Sequence, residues 1–288
     1  MKNKHLLIII AALIILNIVT ATVLFIKTKD EYVATIGDEK ISRQEWLTEM
    51  EDRFGESALK DLVDQKVIVQ MANKYNITIS EKEIDHELTL VKTSSYLENQ
   101  NETEEKLREQ IKLSLLLEEL LTKDVAVSSR EMKKYYQDNK ELFVIPTSYE
   151  LSQIMVHTKK EAEQTSKELK QGSSFEALAM ERSIDEFSRS QGGKIGYVKE
   201  EEEGISPSNF SKIKQLKPGN WTKPLKTEEG YVIYLLHERV PKKEYSYKEV
   251  KNQIRRQIAL DQMDVPVSAN LFWDEAQVDW FYEKDTGK

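Results

Sequence analysis

The stretch from Ser183 to Tyr231 constrains the fold more than any other part of the chain, because its glycines and prolines dictate where the backbone turns. Gly192-Gly193 before Lys194-Ile195-Gly196-Tyr197 reads as a turn feeding a short strand, since glycine reaches positive φ without a Cβ clash. Pro218-Gly219 is a turn dipeptide. Gly230 then precedes Tyr231-Val232-Ile233-Tyr234-Leu235-Leu236, an apolar run of strand length rich in β-branched and aromatic residues.

The residues leading into this stretch extend the pattern. Leu151, Gln153, Met155 and His157 alternate with Ser152, Ile154 and Val156, as on a strand with two different faces. The run from Glu161 to Lys170 reads as a helix stopped at Gly172, with shorter helices from Phe175 to Arg182 and from Asn209 to Leu216. Pro146 is expected to end the helix before it, because the residue preceding a proline disfavours the α region. Residues 146–241 therefore predict a small sheet covered by short helices.

The flanks are different. A 21-residue run without a charge begins at Leu6 and ends at Ile26, preceded by Lys2, Lys4 and His5 and followed by Lys27 and Lys29. About 20 apolar residues span a bilayer as a helix, and the apolar core of a cleavable signal is shorter, about 7–15. An uncleaved membrane anchor is the expectation, with the lipid bilayer as its partner and the body extracytoplasmic. Residues 31–145 read as a short hairpin turning at Gly37-Asp38, then helices. Ser42-x-x-Glu45, Ser80-x-x-Glu83 and Ser128-x-x-Glu131 fit the capping box. Leu59, Val63, Val67 and Met71 form one apolar helix stripe, and Leu107, Ile111, Leu115 and Leu120 another. Val250, Ile254 and Ile258 mark a helix from Tyr247 to Leu260. Beyond it Leu271, Phe272, Trp273, Trp280 and Tyr282 are too apolar for a free tail.

Composition narrows the chemistry. The chain of 288 residues has no cysteine, which removes disulfides, thiol chemistry and a lipid-modified cysteine. Its four histidines stand at unrelated spacings, so no metal site is expected, and Glu200 to Glu203 reads as a solvated loop. Beyond residue 30 the chain carries 38 basic and 49 acidic residues, net −11, which argues against a nucleic-acid partner.

Seven pieces stand in an order that resembles the parvulin family of peptidyl-prolyl isomerases. They are Leu151 to Val156; Glu161 to Leu169; Gly172-Ser173-Ser174-Phe175-Glu176-Ala177-Leu178-Ala179; Ser183 with Asp185; Gly192 to Gly196; Phe210 to Gly219; and Pro224 to Tyr231. The likeness covers roughly residues 147–240. Val33-Ala34-Thr35-Ile36-Gly37 and Ile77-Thr78-Ile79-Ser80-Glu81 are similar to the helical lobe of extracytoplasmic foldases of the PrsA and SurA type.

This resemblance implies an α+β fold: a parvulin-like sheet with covering helices, inserted into a helical chaperone lobe. With the transmembrane anchor read from the uncharged run placed over residues 1–30, the expected layout is a helical lobe over 31–145, an isomerase domain over 146–241, and a segment over 242–288 that returns to the lobe. An amide turning about its C–N bond meets a barrier of ~18–20 kcal/mol, and an enzyme lowers it by binding the twisted amide better than the planar forms. By resemblance, Ile195, Ile205 and Phe210 form the apolar cup for the proline ring, Asp185 stands beside the rotating amide, and Thr227 belongs to a hydrogen-bond network. Asp185 also reads as a helix cap, Ile195 and Phe210 as core, and Thr227 as structural. The two family histidine positions are Gln153 and Val232; Gln153 retains a hydrogen-bonding group and Val232 does not. No cofactor is implied. The expected partners are unfolded secreted proteins with X-Pro bonds, with a homodimer as a further expectation. The alternative is a parvulin-fold chaperone that binds unfolded chains with little or no turnover.

Overall fold

The computed structural model describes residues 31–94, 103–200, 204–263, 266–280 and 282. The run that begins at Leu6 lies outside them, and among the described residues no helix is long and apolar enough to cross a membrane. Contacts divide the chain into two units, Met1–Lys66 with Gln277–Lys288, and Val67–Ala276.

In the first unit, β1 (Tyr32–Ile36) and β2 (Glu39–Ser42) form an antiparallel hairpin turning at Gly37-Asp38. Ser42 caps α1 (Arg43–Lys74) by accepting from the Glu45 amide at 3.1 Å. Ile36, Phe54 and Leu62 are 66%, 52% and 56% exposed, so little apolar surface is buried among the described residues of this unit.

The second unit takes the end of α1, where Val67 and Met71 are buried, and adds α2 (Glu81–Ser94), α3 (Glu104–Thr122) and α4 (Ser129–Asp138). The boxes at Ser80/Glu83 and Ser128/Glu131 satisfy helix N–H groups in both directions, as the spacing predicts. Ile84 and Leu88 of α2 pack on Ile111 and Leu115 of α3. Pro146 does not end a helix. The helix α4 stops at Asp138, and a 3-10 turn (Lys140–Phe143) and β3 (Val144–Ile145) intervene. Phe143 and Ile145 are drawn into a core with Tyr245, Val250 and Ile254, and that burial outweighs continued helix.

The main sheet follows. In chain order come β4 (Ser148–Val156), α5 (Lys159–Lys170), α6 (Phe175–Arg182), α7 (Glu186–Arg189), β5 (Lys194–Lys199), α8 (Pro207–Ile213), β6 (Leu225–Lys226) and β7 (Tyr231–Val240). The strand order is β5-β4-β7-β6, with antiparallel neighbours throughout. One face packs Leu151, Val198, Val232 and Leu236 against Phe210 and Ile213 of α8. The other packs Ile154, Val156 and Ile233 against Ala162 and Leu169 of α5 and Leu178 of α6. Burying side chains of this size stabilises by roughly 1.5–3 kcal/mol each.

The chain then returns to the helices. β8 (Lys243–Glu244) pairs with β3, Ile145 opposite Lys243, so entry to and exit from the sheet region lie side by side. From there α9 (Tyr247–Asp261) packs Val250 and Ile254 against Met132 of α4. A 3-10 turn (Ala269–Phe272) and α10 (Trp273–Ala276) follow, and Glu275 accepts from Lys74 at 2.7 Å and from the Tyr75 hydroxyl at 2.5 Å. The apolar segment after α9 is thus docked in part on the end of α1. The second unit is a mixed helix and sheet fold.

Candidate active site

The middle of β4 carries the site because it loses one neighbour there. Its ladder with β5 breaks after Leu151 and ends at the Ser152–Lys194 pair. The loop between α6 and β5 takes over that edge. The Ile184 amide donates to the Met155 carbonyl at 2.8 Å, the Met155 amide to Ser183 Oγ at 3.2 Å, and the Gln153 amide to the Gly193 carbonyl at 2.7 Å. Gly193 has φ +83, and a Cβ on it would stand 2.3 Å from the Gln153 carbonyl oxygen, so only glycine permits this approach. These bonds bring Asp185 against Gln153.

Gln153 Nε2 donates to Asp185 Oδ2 at 2.9 Å. Asp185 is also the N-cap of α7, accepting from the Ser188 amide at 3.2 Å and from the Ser188 hydroxyl. The cap and the site are one residue. Burial opposes ionisation of Asp185, but the bonds from Ser188 and Gln153 outweigh it and hold its carboxyl below the usual range. The group is therefore an anion at neutral pH and accepts only, which turns the nitrogen of the Gln153 amide toward it.

Met155 lies two residues along the same strand face, about 7 Å from Gln153 at ~3.4 Å per residue. It borders a groove of about 930 Å³ with Ser206 and Asn209 at the start of α8 and Lys226 and Thr227 at the β6–β7 turn. Ser206 caps α8 by accepting from the Asn209 amide at 3.3 Å, and the Asn209 side chain donates to the Lys226 carbonyl at 3.1 Å, tying helix to turn. Thr227 closes the turn itself: its amide donates to the Gly230 carbonyl at 2.9 Å, and its Oγ1 accepts from the Gly230 amide at 3.1 Å.

The sequence-predicted residues thus fall into three places. Gln153 and Asp185 are joined directly. Thr227 borders the neighbouring groove. Phe210 and Ile195 are 3% and 9% exposed in the core behind α8, where the Phe210 ring meets Tyr149 edge-on at 5.2 Å, and Ile205 packs against the same cluster. Val232, at the second family histidine position, is fully buried opposite Met155. Sequence reasoning missed Met155, Asn209 and Ser188 as site residues. Ser188 was accessible, standing three residues after a capping aspartate. Asn209 was not, because which side of a two-turn helix faces the groove depends on how Phe210 packs.

Residues 127–252 match a family profile described as the PPIC-type PPIASE domain. Over 260 residues, 89% of this chain and 88% of the relative, the chain is 42% identical to a protein named putative peptidyl-prolyl cis-trans isomerase YacD of Bacillus subtilis (strain 168). It is 33% identical to the foldase protein PrsA of Geobacillus kaustophilus (strain HTA426) over 78% of this chain and 76% of that one. Alignment with the crystal structure of PrsA from Bacillus subtilis covers 90% of this chain and 98% of that one at 26% identity, with a TM-score of 0.34, too low to carry an argument about the fold. Identity at this level over nearly the whole of both chains is more than one shared domain produces: the chain belongs to the PpiC-type parvulin family of peptidyl-prolyl isomerases and PrsA-like foldases.

Proposed function

We propose that this chain is an active peptidyl-prolyl isomerase, anchored through the run from Leu6 to Ile26, that assists secreted or cell-envelope proteins to fold outside the cytoplasm. The observation that carries the catalytic reading is the Gln153–Asp185 bond, fixed on the strand face that continues into the groove at Met155. An X-Pro bond laid across this face meets an apolar thioether at Met155 and hydrogen-bond donors on either side. As the amide twists, its nitrogen becomes pyramidal and gains a lone pair. The Thr227 hydroxyl and the second N–H of Gln153 can donate to it. Asp185, being ionised, cannot donate; it holds the Gln153 amide in one orientation and is a positioning residue. Phe210, Ile195 and Ile205 fix α8 and with it Asn209. No bond breaks, so no cofactor enters.

A second reading is favoured by one observation. Thr227 Oγ1 is engaged by its own turn and Val232 offers no polar group, so among the described residues no hydrogen-bond chain links Gln153 to Thr227. On that reading the groove binds proline-containing chains without turning them over.

The test is prolyl isomerisation of short X-Pro peptides by the full chain in mild detergent. Acceleration above the uncatalysed exchange of ~10–100 s, reduced about tenfold in kcat/KM by Gln153→Leu and by Asp185→Ala, is the expected result. No acceleration across several X residues, with protection of an unfolded client intact, selects the second reading.

A further inference from the structure

The first unit leaves an apolar seam in the open. On α1, Arg43, Leu47, Met50, Phe54, Ser57 and Asp61 follow one another at steps of four, three, four, three and four, so they share one face of the helix. Every one of them is exposed. The hairpin before the helix is no better covered: all five residues of β1 are exposed, and two strands alone are marginal in water. Tyr32, Val33 and Ile36 of the hairpin and Leu47, Met50 and Phe54 of the helix are 40–66% exposed. At on the order of 100 Å² left on each, roughly 600 Å² of apolar side chain stands uncovered. That is the upper end of the largest patch on a typical monomer, about 300–600 Å². With a polar rim it approaches the ~800 Å² that each partner gives to a standard interface.

Charge decides what covers this surface. Residues 31–66 include ten acidic and five basic residues, net −5, which disfavours the head groups of an anionic bilayer. The last six residues of the chain, 283–288, carry no apolar side chain to lay over it. The seam, however, is its own complement. It begins at the cation of Arg43 and ends at Asp61, which makes no ion pair among the described residues. Turned end for end about residue 52, it sets Arg43 against the partner's Asp61, Leu47 against the partner's Ser57, and Met50 against the partner's Phe54. Opposite charges meet at the ends, a large side chain meets a small one, and a thioether meets a ring. A two-fold axis makes each of these contacts twice.

We propose that the first unit pairs with a second copy of this chain through this seam, α1 running antiparallel to the α1 of its partner. Parallel pairing would set arginine on arginine and aspartate on aspartate, and like charges across an interface select against it. Arg43 also meets Glu31 of its own chain at 2.7 Å, but both side chains of that pair are exposed, so it holds Arg43 only weakly. A guanidinium has five donors, so it can take both carboxylates. The inference does not depend on turnover at Gln153 and Asp185.

The experiment is sedimentation equilibrium of the full chain in density-matched mild detergent, joined to cysteine cross-linking, which a chain without cysteine makes site-specific. The chain should sediment as a dimer, and Phe54→Glu should raise the dissociation constant about a hundredfold. Arg43→Asp should raise it about tenfold. Adding Asp61→Arg to that chain exchanges the signs of both charge pairs and should bring the constant back to within about threefold of the original. In a mixture, Met50→Cys chains should link to Phe54→Cys chains faster than either links to itself. Helix content and prolyl isomerisation should be unchanged throughout, which separates a failed interface from a failed fold. A chain that stays monomeric, a dimer indifferent to Phe54→Glu, no recovery in the double exchange, or Met50→Cys linking mainly to itself would each overturn the proposal. Slow alkylation of Phe54→Cys in a monomer would overturn it too, by giving the face to residues 1–30 of the same chain.

Discussion

The sheet region and the helices that bracket it both bury apolar side chains, but the helices add a half-buried ion cluster to theirs. In the sheet, Leu151, Ile154, Val232 and Leu236 are entirely buried, and both faces close on apolar side chains. In the helices, Arg256 of α9 is 3% exposed and faces Glu83 of α2 at 3.0 Å, with Glu118 and Glu119 of α3 at 3.4 and 3.5 Å. Arg255 joins Glu119 at 2.5 Å and donates to the Thr122 carbonyl at 3.1 Å. Apolar burial is insensitive to acid. Buried ions are not. Burial raises the carboxyls of Glu87 and Glu118, and it lowers His86. The groove is therefore mounted on the part of the fold whose packing does not titrate, and its bracket carries the pH response. Asp185 is the exception within the sheet region: its pKa is lowered, so the stability it adds is present above the unfolded value and is lost as pH falls through the folded one.

The contrast is most directly broken at Arg256. Arg256→Met removes the partner shared by Glu83, Glu118 and Glu119, whose side chains are 18%, 29% and 26% exposed, while Glu119 keeps Arg255; the change should cost about 1.5–3 kcal/mol. Urea unfolding with a helix-region probe should show the loss, and a loss below about 1 kcal/mol would mean that apolar packing alone holds the helices. His86 sharpens the pH side. Between pH 6.5 and about 4 the unfolded chain holds a proton on this ring that the folded chain does not. Stability falls as pH falls through that window, by about 3 kcal/mol in all, and the loss is complete below it. His86→Phe should remove this slope, read as the difference between the two proteins across the window; parallel curves would sink the assignment. The smallest effect is at Glu87, where burial and the nearby Glu118 both oppose the charge. Glu87→Gln should stabilise by less than about 1 kcal/mol at neutral pH, and the gain should vanish on acidification as Glu87 protonates.

Much of the sheet region was legible because glycine, proline and capping residues report local geometry. Phe175–Arg182 forms a helix with the predicted bounds, and the apolar run that starts at Tyr231 forms a strand that continues to Val240. Pro146 misled because a proline marks only what its own neighbour cannot do. The helix had already stopped at Asp138, for the sake of burying Phe143 and Ile145. At the site, Gln153 read as a family histidine position that keeps a hydrogen-bonding group, and the group it bonds is Asp185. That pairing comes from the loop that replaces β5 at the strand edge, which no spacing announces. His86 gave no signal at all, because its isolation depends on Tyr245, 159 positions further on.

By itself the sequence determined the longer strands and helices of the sheet region, the turns at Gly192-Gly193 and Pro218-Gly219, and the family. These depend on backbone chemistry within a few residues and on a pattern spread along the chain. Only the tertiary structure decided that Asp185 caps a helix and grips Gln153 at once, that Asn209 rather than Phe210 borders the groove, and that Arg256 gathers carboxylates from two other helices. Each of these is a choice between faces of one element, and a face acquires its meaning only from what packs against it.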